Sequence, residues 1–195
     1  MPAARTRFPR DGRRIPSVLL VISGPIASGK SSLARGVARE LRREGVATAV
    51  VDLDQLYDMQ TGALDGPKAD SARWKAARHA AAALAESFAA DGIAVVIVEG
   101  SFQSRPDRLS LTGSRWPRSD VLFVTLRVSY EEALRRAQAD PTRGASRDPT
   151  FLRRHYERSS KLAIAPRGDL VIDTESCAEE EEIAAVVRAA LDLQR

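Results

Sequence analysis

The sequence predicts an α/β fold, namely one three-layer domain built around a parallel five-stranded sheet. Two observations lead to this prediction. Short apolar runs of strand length alternate along the chain with segments whose apolar residues recur at helical spacing. The runs are apolar throughout, as in strands that helices cover on both faces. A helix between two such runs is the crossover connection that parallel strands need, so the strands should be parallel.

The predicted elements follow one another in a regular order. Strands are predicted at residues 18–22, 46–51, 93–98, 120–126 and 169–173. Helices are predicted at residues 31–43, 72–90, 129–139 and 151–162, and a last helix runs to about residue 193, with Ser176 and Glu179 as its capping pair. Residues 57–71 are rich in Gly, Asp and Pro and lack periodicity, so an irregular functional segment is expected there.

The composition suits a single domain. The chain has 195 residues, 44% hydrophobic and 29% charged, which is enough for a sizeable core. We expect residues 1–14, which include five arginines, to form a flexible basic tail, and residues 15–195 to form the domain. The single cysteine, Cys177, fits a reducing compartment. No apolar run reaches the roughly 18 residues of a membrane helix, so we expect a cytoplasmic protein.

Residues 24–31 predict a nucleotide site. They match the pattern G-x-x-x-x-G-K-[ST] and join the first predicted strand to the first helix, which is the context of a phosphate-binding loop. Such a loop directs backbone N–H groups at phosphate oxygens and needs glycine where the backbone turns tightly. A lysine on the β- and γ-phosphates and a hydroxyl on Mg²⁺ complete it. The predicted nucleotide ligands are Gly24, Ala27, Ser28, Gly29, Lys30, Ser31 and Ser32, and the expected cofactors are ATP and Mg²⁺.

Three acids stand at the ends of predicted strands. Asp52 and Asp54 follow the second strand and Glu99 follows the third, so all three should meet the phosphate loop at one edge of the sheet. If the chain stays extended to Asp54, both aspartates lie on the same side. Mg²⁺ is then predicted to bind Ser31, Asp52 and Glu99, and Asp54 to accept a proton as general base. The alternatives are an aspartate that caps a turn and an ordinary acid at a strand end.

A segment at about residues 138–150, between two predicted helices, is predicted to be a lid. Its Arg143 and Arg147 suit phosphate oxygens and the charge of a transferring phosphoryl group, so we include both with Lys30 and Asp54 among the catalytic candidates. Arg136 is a further candidate for the nucleotide. Arg135 and Arg136 also suit ion pairs within their helix, and the partners at i,i+4 spacing are Glu131 and Glu132.

The acceptor pocket is less clearly marked. The candidates follow the second and third strands and are Asp54, Tyr57, Arg73, Phe102 and Arg105. Apart from Asp54, each equally suits the core or the surface. His79 and His155 have no partners in the pattern and are not expected to be catalytic. No spacing of Cys and His indicates zinc.

With these motifs the chain resembles the P-loop small-molecule kinases, which include shikimate, gluconate, nucleoside and nucleotide kinases and chloramphenicol 3-O-phosphotransferase. The resemblance rests on the phosphate loop, Asp54-Gln55-Leu56, the arginine-bearing lid and a fifth strand that reads Val-Ile-Asp-Thr. It implies that Asp54 is the base and that the adenine packs near Arg136 and residues 174–176. The Asp52-Leu53-Asp54 pair is also similar to the Asp-x-Asp of shikimate kinases, although their glycine triplet is missing.

These observations predict an ATP- and Mg²⁺-dependent kinase that phosphorylates a hydroxyl of a small molecule. An antibiotic, a sugar-like metabolite and a nucleoside all remain open as acceptors. The alternatives are a nucleotide or polynucleotide kinase and a regulator that binds nucleoside triphosphate without kinase activity. An aromatic content of 5% argues against a nucleic-acid groove, because such grooves stack bases on aromatic side chains.

Overall fold

A computed structural model describes residues 17–60, 69–102, 104–112, 116–162 and 169–194. The predicted basic tail at residues 1–14 lies outside these ranges. No helix among the described residues is both long enough and apolar enough to span a membrane.

Five parallel strands form the sheet and confirm the predicted fold class. They are β1 (Val18–Ser23), β2 (Thr48–Asp52), β3 (Val95–Gly100), β4 (Val121–Arg127) and β5 (Leu170–Asp173). Their order across the sheet is β2-β3-β1-β4-β5, with every neighbouring pair parallel. Because β1 is central and wholly buried, the loop that follows it begins in the middle of one edge of the sheet.

Seven α-helices connect and cover the strands in the described part of the chain. They are α1 (Lys30–Arg43), α2 (Leu53–Asp58), α3 (Ala69–Ala90), α4 (Arg105–Thr112), α5 (Tyr130–Ala139), α6 (Pro149–Leu162) and α7 (Glu179–Asp192). Short 3₁₀ turns occupy Arg118–Asp120 and Ala145–Arg147.

The helices make two layers, one on each face of the sheet. On one face α1 and α7 pack over β1, and Leu33, Val37 and Leu41 of α1 recur every fourth residue along the buried stripe. On the other face α3 presents Ala77 and Ala81, again four apart, to the apolar side chains of β1 and β3. Small alanine side chains let this helix lie close to the strands.

A third, smaller apolar cluster joins the phosphate loop to the helices beyond the sheet. Ala27 of the loop packs there with Ala133 and Ala137 of α5 and Leu152 of α6. The two helices that flank the predicted lid are therefore fixed against the loop by apolar contacts.

The structure corrects several local predictions. The chain does not stay extended to Asp54, because β2 ends at Asp52 and α2 begins at Leu53. The predicted irregular segment at residues 57–71 is helical at both of its ends, because α2 continues to Asp58 and α3 begins at Ala69. Residues 61–68 lie outside the described part. Helix α7 begins after Ala178, without a side-chain cap, whereas Ser176 was predicted to cap it. Ser176 Oγ instead donates to the Asp173 carbonyl at 3.4 Å.

Helix α4 was not predicted, although a signal for it is present in the sequence. Asp107 Oδ2 accepts from the Ser104 backbone N–H at 3.1 Å, and Ser104 Oγ accepts from the Asp107 backbone N–H at 3.2 Å. This is the reciprocal pair of a capping box, with aspartate in place of glutamate. Pro106 in the first turn is compatible with a helix start, where the missing N–H costs nothing. The pattern Ser-Arg-Pro-Asp is thus a readable helix start.

Gly100 is required by close packing at the end of β3. A Cβ at this position would lie 2.5 Å from Leu53 Cβ and 2.8 Å from Leu53 Cδ2. Gly36 on α1 is a matched control, because a Cβ there would meet only the flexible end of Ile183, with Cδ1 at 2.4 Å.

We predict that Gly100→Ala lowers the free energy of unfolding by about 1–3 kcal/mol, the usual cost of overpacking a core. Gly36→Ala should cost less, because a side-chain rotation relieves its contact and alanine favours the helix by about 1 kcal/mol. Urea unfolding of both variants measures the difference. Equal losses would show that the Leu53 contact does not constrain this strand end.

Candidate active site

The phosphate loop between β1 and α1 is held in an unusual backbone conformation. Gly29 has φ 91° and immediately precedes α1, and Ala27 has φ 61°. Both values lie in the left-handed region, which glycine adopts without cost and alanine does not. At the start of the loop, a Cβ on Gly24 would lie 2.6 Å from Ser28 Oγ and 3.0 Å from Leu126 Cβ. The two glycines of the motif are therefore needed for different reasons, a left-handed turn and a close approach.

Polar groups of the loop are placed to meet an anion. Lys30 Nζ donates to the Pro25 carbonyl at 2.9 Å, across the mouth of the loop. The Ser28 side chain is fully buried, and its Oγ has no hydrogen-bond partner among the described residues. A buried hydroxyl without a partner carries a free-energy cost that a ligand oxygen would remove. Ser32 is exposed on the first turn of α1.

Glu99 is the most buried acid at this edge of the sheet, with 4% of its surface exposed. It lies opposite Asp52 in the parallel pairing of β2 and β3. Burial raises the pKa of its carboxyl, and the charges of Asp52 and Asp54 raise it further. A hydrogen bond from Ser31 and the charge of Lys30 lower that pKa. The loop of β1 and the ends of β2 and β3 therefore meet at this carboxylate, as predicted.

Asp52 and Asp54 do not form the predicted pair on one side of an extended strand. Asp52 caps α2, and its Oδ1 accepts from the backbone N–H of Asp54 at 2.9 Å and of Gln55 at 3.3 Å. The alternative of an aspartate that caps a turn is thus the one that the structure shows for Asp52. Asp54 lies in the first turn of α2, where burial raises its carboxyl pKa and the Lys30 charge opposes that shift.

The donor set at this edge fits Mg²⁺ only together with a bound nucleotide. No group of three or more His, Cys, Asp or Glu side chains in the described ranges has the arrangement of a metal site. The Ser31 hydroxyl acts on the Glu99 carboxylate and lowers its pKa, and Asp52 lies opposite Glu99 in the pairing of β2 and β3. One hydroxyl and two carboxylates are hard oxygen ligands, and Mg²⁺ in nucleotide sites takes its remaining ligands from phosphates and water. The residues predicted for the metal therefore suit it chemically.

The predicted lid brings one of its two arginines to the site. Burial lowers the pKa of Lys30 and raises that of Asp54, and the positive charge of Arg143 acts on both groups in the lowering direction, so Arg143 interacts electrostatically with the loop lysine and with Asp54. Arg143 Nε also pairs with Asp140 Oδ2 at 3.2 Å, which holds the residue at the near end of the lid. Arg147 is exposed, and no contact of its side chain with the loop is observed among the described residues.

Arg136 connects α5 to the segment after β5. Its guanidinium donates to Thr174 Oγ1 at 2.9 Å and to the Thr174 carbonyl at 2.7 Å. Glu132 accepts from both Arg135 and Arg136, and these hydrogen bonds lower the pKa of its carboxyl to about 2. Glu131 was the expected partner of Arg135 at i,i+4 spacing, but Arg135 pairs with Glu132 at i,i+3 spacing. Arg136 and residues 174–176, proposed to surround an adenine, do lie together.

Helix α6 contributes residues that the sequence did not indicate. Tyr156 Oη donates to the Ile26 carbonyl at 2.9 Å and so ties the helix to the phosphate loop. The Nε2 of His155 is buried and has no partner among the described residues. Burial and then the Lys30 charge lower the pKa of His155, which keeps the imidazole neutral beside the loop. Helical periodicity places both residues on one turn but does not show what that turn contacts.

Beyond Asp54, the predicted acceptor residues lie in three different places. Tyr57 and Arg73 lie together on α2 and α3, with the Arg73 guanidinium 4.5 Å from the centre of the Tyr57 ring. Tyr57 also stacks on Trp74 at 4.2 Å. Arg105 is exposed at the start of α4 and lines a cavity beside β4. Phe102 is fully buried in the core, so its contact with an acceptor stays a prediction that the observed burial does not support.

Comparison with known protein families agrees with this geometry. The model of a family described as an AAA domain matches residues 19–185, which span the sheet and most of the helices. The chain belongs to the AAA domain family. The match and the sheet order confirm that this AAA domain has the P-loop fold predicted from the sequence. No curated protein is significantly similar to the chain.

Solved structures share the fold of this AAA domain at low sequence identity. A gluconokinase from Sinorhizobium meliloti is 22% identical with a TM-score of 0.60, and the alignment covers 93% of this chain and 97% of that protein. An unliganded sugar kinase from Janibacter is 22% identical with a TM-score of 0.63, over 91% and 96% of the two chains. The fold therefore resembles that of sugar kinases over nearly its whole length.

We predict that Lys30→Met weakens ATP binding about 10- to 100-fold, the value of one or two charge-assisted hydrogen bonds. Methionine retains most of the apolar stem, so the melting temperature should change little. Calorimetric titration with ATP and a thermal melt measure the two effects. Arg35→Met, on the exposed side of the same helix, is the matched control. Equal ATP affinity in both variants would contradict the role of the loop.

Proposed function

We propose that the protein is an ATP- and Mg²⁺-dependent kinase that moves the γ-phosphoryl group of ATP to a hydroxyl of a small molecule. The observation that carries this proposal is that Lys30, which spans the phosphate loop through its bond to the Pro25 carbonyl, interacts electrostatically with both Asp54 and Arg143. A nucleotide-binding switch needs a loop and a metal. Phosphoryl transfer needs, in addition, an acid and a lid arginine at the same place.

Each side chain has a role that follows from its position. Lys30 exchanges its bond to the Pro25 carbonyl for the β- and γ-phosphate oxygens. Ser31 and Glu99 hold Mg²⁺, directly or through water, and Asp52 assists them from the neighbouring strand. When bound, Mg²⁺ supplies positive charge that offsets the charge of the phosphates.

Asp54 and Arg143 act on the transfer itself. Asp54 is exposed on its helix and takes the proton from the acceptor hydroxyl. Arg143 stabilises the charge that spreads over the transferring group. Arg147 joins it when the proposed lid at about residues 138–150 closes, which also excludes water.

The acceptor that fits best is a small polyhydroxylated molecule. On α2 and α3, close in sequence to the proposed base, a phenol, a cation and a carboxylate form one cluster, in which Tyr57 Oη donates to Asp70 Oδ1 at 2.7 Å and Arg73 lies over the Tyr57 ring. Such a mixed surface suits hydroxyl groups and one negative charge. The sugar kinase and gluconokinase that share the fold support the same class of acceptor.

The competing functions make different demands. A polynucleotide kinase needs a groove of stacking aromatics, but the stacked pair in this region, Tyr57 and Trp74, is closed by its own contact. A nucleotide kinase needs a second phosphate site, for which Arg73 is the available cation. A regulator that hydrolyses ATP slowly needs no acceptor. The acceptor requirement therefore separates these possibilities.

The decisive experiment follows ADP release from Mg-ATP in the presence of a panel of sugars, sugar acids, nucleosides, nucleotides and hydroxylated antibiotics. At least one small alcohol should raise ADP release far above the rate without acceptor, and mass spectrometry should show it to be phosphorylated. Phosphorylation of nucleotides alone would favour a nucleotide kinase. Tight ATP binding with no effective acceptor would favour the regulator.

We predict that Asp54→Asn lowers kcat on the order of 10²–10⁴-fold with the acceptor so identified, because a positioned general base contributes that much. The affinity for ATP should barely change, since the amide has the same shape and Asp54 is not proposed to bind the nucleotide. Single-turnover kinetics and ATP titration measure the two values. A near-normal kcat would remove Asp54 from the role of base.

Asp52→Asn is the matched comparison, and its main effect should be on the metal. Asparagine caps a helix as well as aspartate does, so α2 should keep its start. Loss of one negative charge beside Glu99 should raise the Mg²⁺ concentration needed for half-maximal activity at fixed ATP. A loss of kcat with unchanged Mg²⁺ dependence would exchange the roles of the two aspartates.

A further inference from the structure

A cavity lies beside the first half of β4, away from the phosphate loop. Its volume is about 290 Å³, and it is enclosed by α4, the 3₁₀ turn at Arg118–Asp120 and the strand. The walls combine three guanidinium groups with apolar side chains. The main lining residues are Arg105, Arg108, Leu109, Trp116, Arg118 and Phe123.

The cavity is separate from the proposed active site. Phe123 pairs with Val21 of β1 and Val121 with Leu19, whereas the phosphate loop begins after Ser23. A strand rises about 3.3 Å per residue, so the floor of the cavity lies roughly 7–13 Å from the end of β1. The cavity also lies on the face of the sheet that α3 and α4 cover. The helix that follows the phosphate loop, α1, packs on the opposite face.

Arg108 places a buried positive charge in the wall. Only 7% of its surface is exposed, and its hydrogen bonds are long, 3.5 Å to the Phe102 carbonyl and 3.4 Å to Thr125 Oγ1. Its guanidinium lies 4.9 Å from the centre of the Phe123 ring. A buried cation held mainly by weak contacts is costly unless an anion accompanies it. Two carboxylates lie in this region. Asp107 is paired with Arg78 at 3.2 Å. Asp169, whose charge acts on Arg108 without a direct ion pair, is paired with Arg118.

The other polar groups of the wall are also donors. Trp116 is 7% exposed, and its indole Nε1 has no hydrogen-bond partner among the described residues. Arg118 donates to the Val121 carbonyl at 2.8 Å and pairs with Asp169, so this carboxylate is already engaged. Asp169 also accepts from the Phe123 backbone N–H at 2.9 Å. Among the described lining residues, the cavity therefore offers mainly donors and positive charge and holds no carboxylate.

We propose that this cavity binds a small aromatic carboxylate, with the carboxylate on Arg108 and Trp116 Nε1 and the ring against Leu109 and Phe123. A planar carboxylate matches the fork of a guanidinium and accepts from the indole at the same time. The volume is near the lower limit for ligand pockets, which restricts the ligand to one or two rings. This inference goes beyond the proposed kinase function and does not depend on it.

The test is a calorimetric titration of the full chain with 2-naphthoate, with neutral 2-naphthamide as its matched ligand. Naphthoate should bind with one site per chain, and naphthamide should bind at least tenfold more weakly because it lacks the charge. Two variants should each weaken naphthoate binding about tenfold or more, namely Arg108→Met and Trp116→Phe. The second of these removes only the indole donor and a small part of the ring surface. Thermal melts verify that both variants fold.

Further variants distinguish this site from the phosphate loop and from an unfolding effect. Lys30→Met should bind naphthoate as the unaltered protein does, and loss of binding there would place the anion on the loop and overturn the proposal. If Arg108→Met unfolds, Arg108→Lys replaces it, which keeps the charge but loses the planar fork and should also weaken naphthoate binding. No binding of naphthoate, equal binding of the amide, or unchanged binding in Trp116→Phe would each overturn the proposal. None of these measurements requires catalytic turnover, so their outcome is independent of the kinase assay.

Discussion

A single buried acid explains much of the architecture around the candidate site. Glu99 lies between two neighbouring strands with almost no exposure to water, and an isolated carboxylate in such a place is strongly unfavourable. The Ser31 hydroxyl and the Lys30 charge compensate it from the first turn of α1. The tight loop before α1 keeps both groups at this carboxylate. The fold thus brings the positive N-terminal end of a helix to a negative strand end, and this is the place proposed for the nucleotide and its metal.

Global features of this protein could be predicted from the sequence because they depend on pattern. Apolar runs of strand length joined by helices permit few arrangements, and the parallel sheet is one of them. The phosphate loop was readable because both of its glycines are dictated by backbone geometry and close approach, as the values at Gly29 and Gly24 show. These constraints act within a few residues of the chain.

Features that depend on contacts between distant segments were less accessible. Phe102 follows an acid at a strand end, as an acceptor ligand would, but its side chain turns into the core. The chain was expected to stay extended to Asp54, but the strand ends at Asp52, whose side chain accepts from the Asp54 backbone N–H. His155 and Tyr156 belong to the loop only because α6 packs there. Helix α4 differs, because its capping box was present in the sequence and was missed.

The packing of α7 on α1 has a consequence for how the chain folds as it is made. Val186 and Val187 of α7 share a core with Leu33 and Val37 of α1, although some 150 positions separate the two helices. During synthesis the helix that carries Lys30 therefore leaves the ribosome long before the helix that covers it. Until then its apolar stripe is exposed to water or to chaperones. The nucleotide site should consequently mature late, and a bound nucleotide would stabilise the nascent chain only after α7 has emerged.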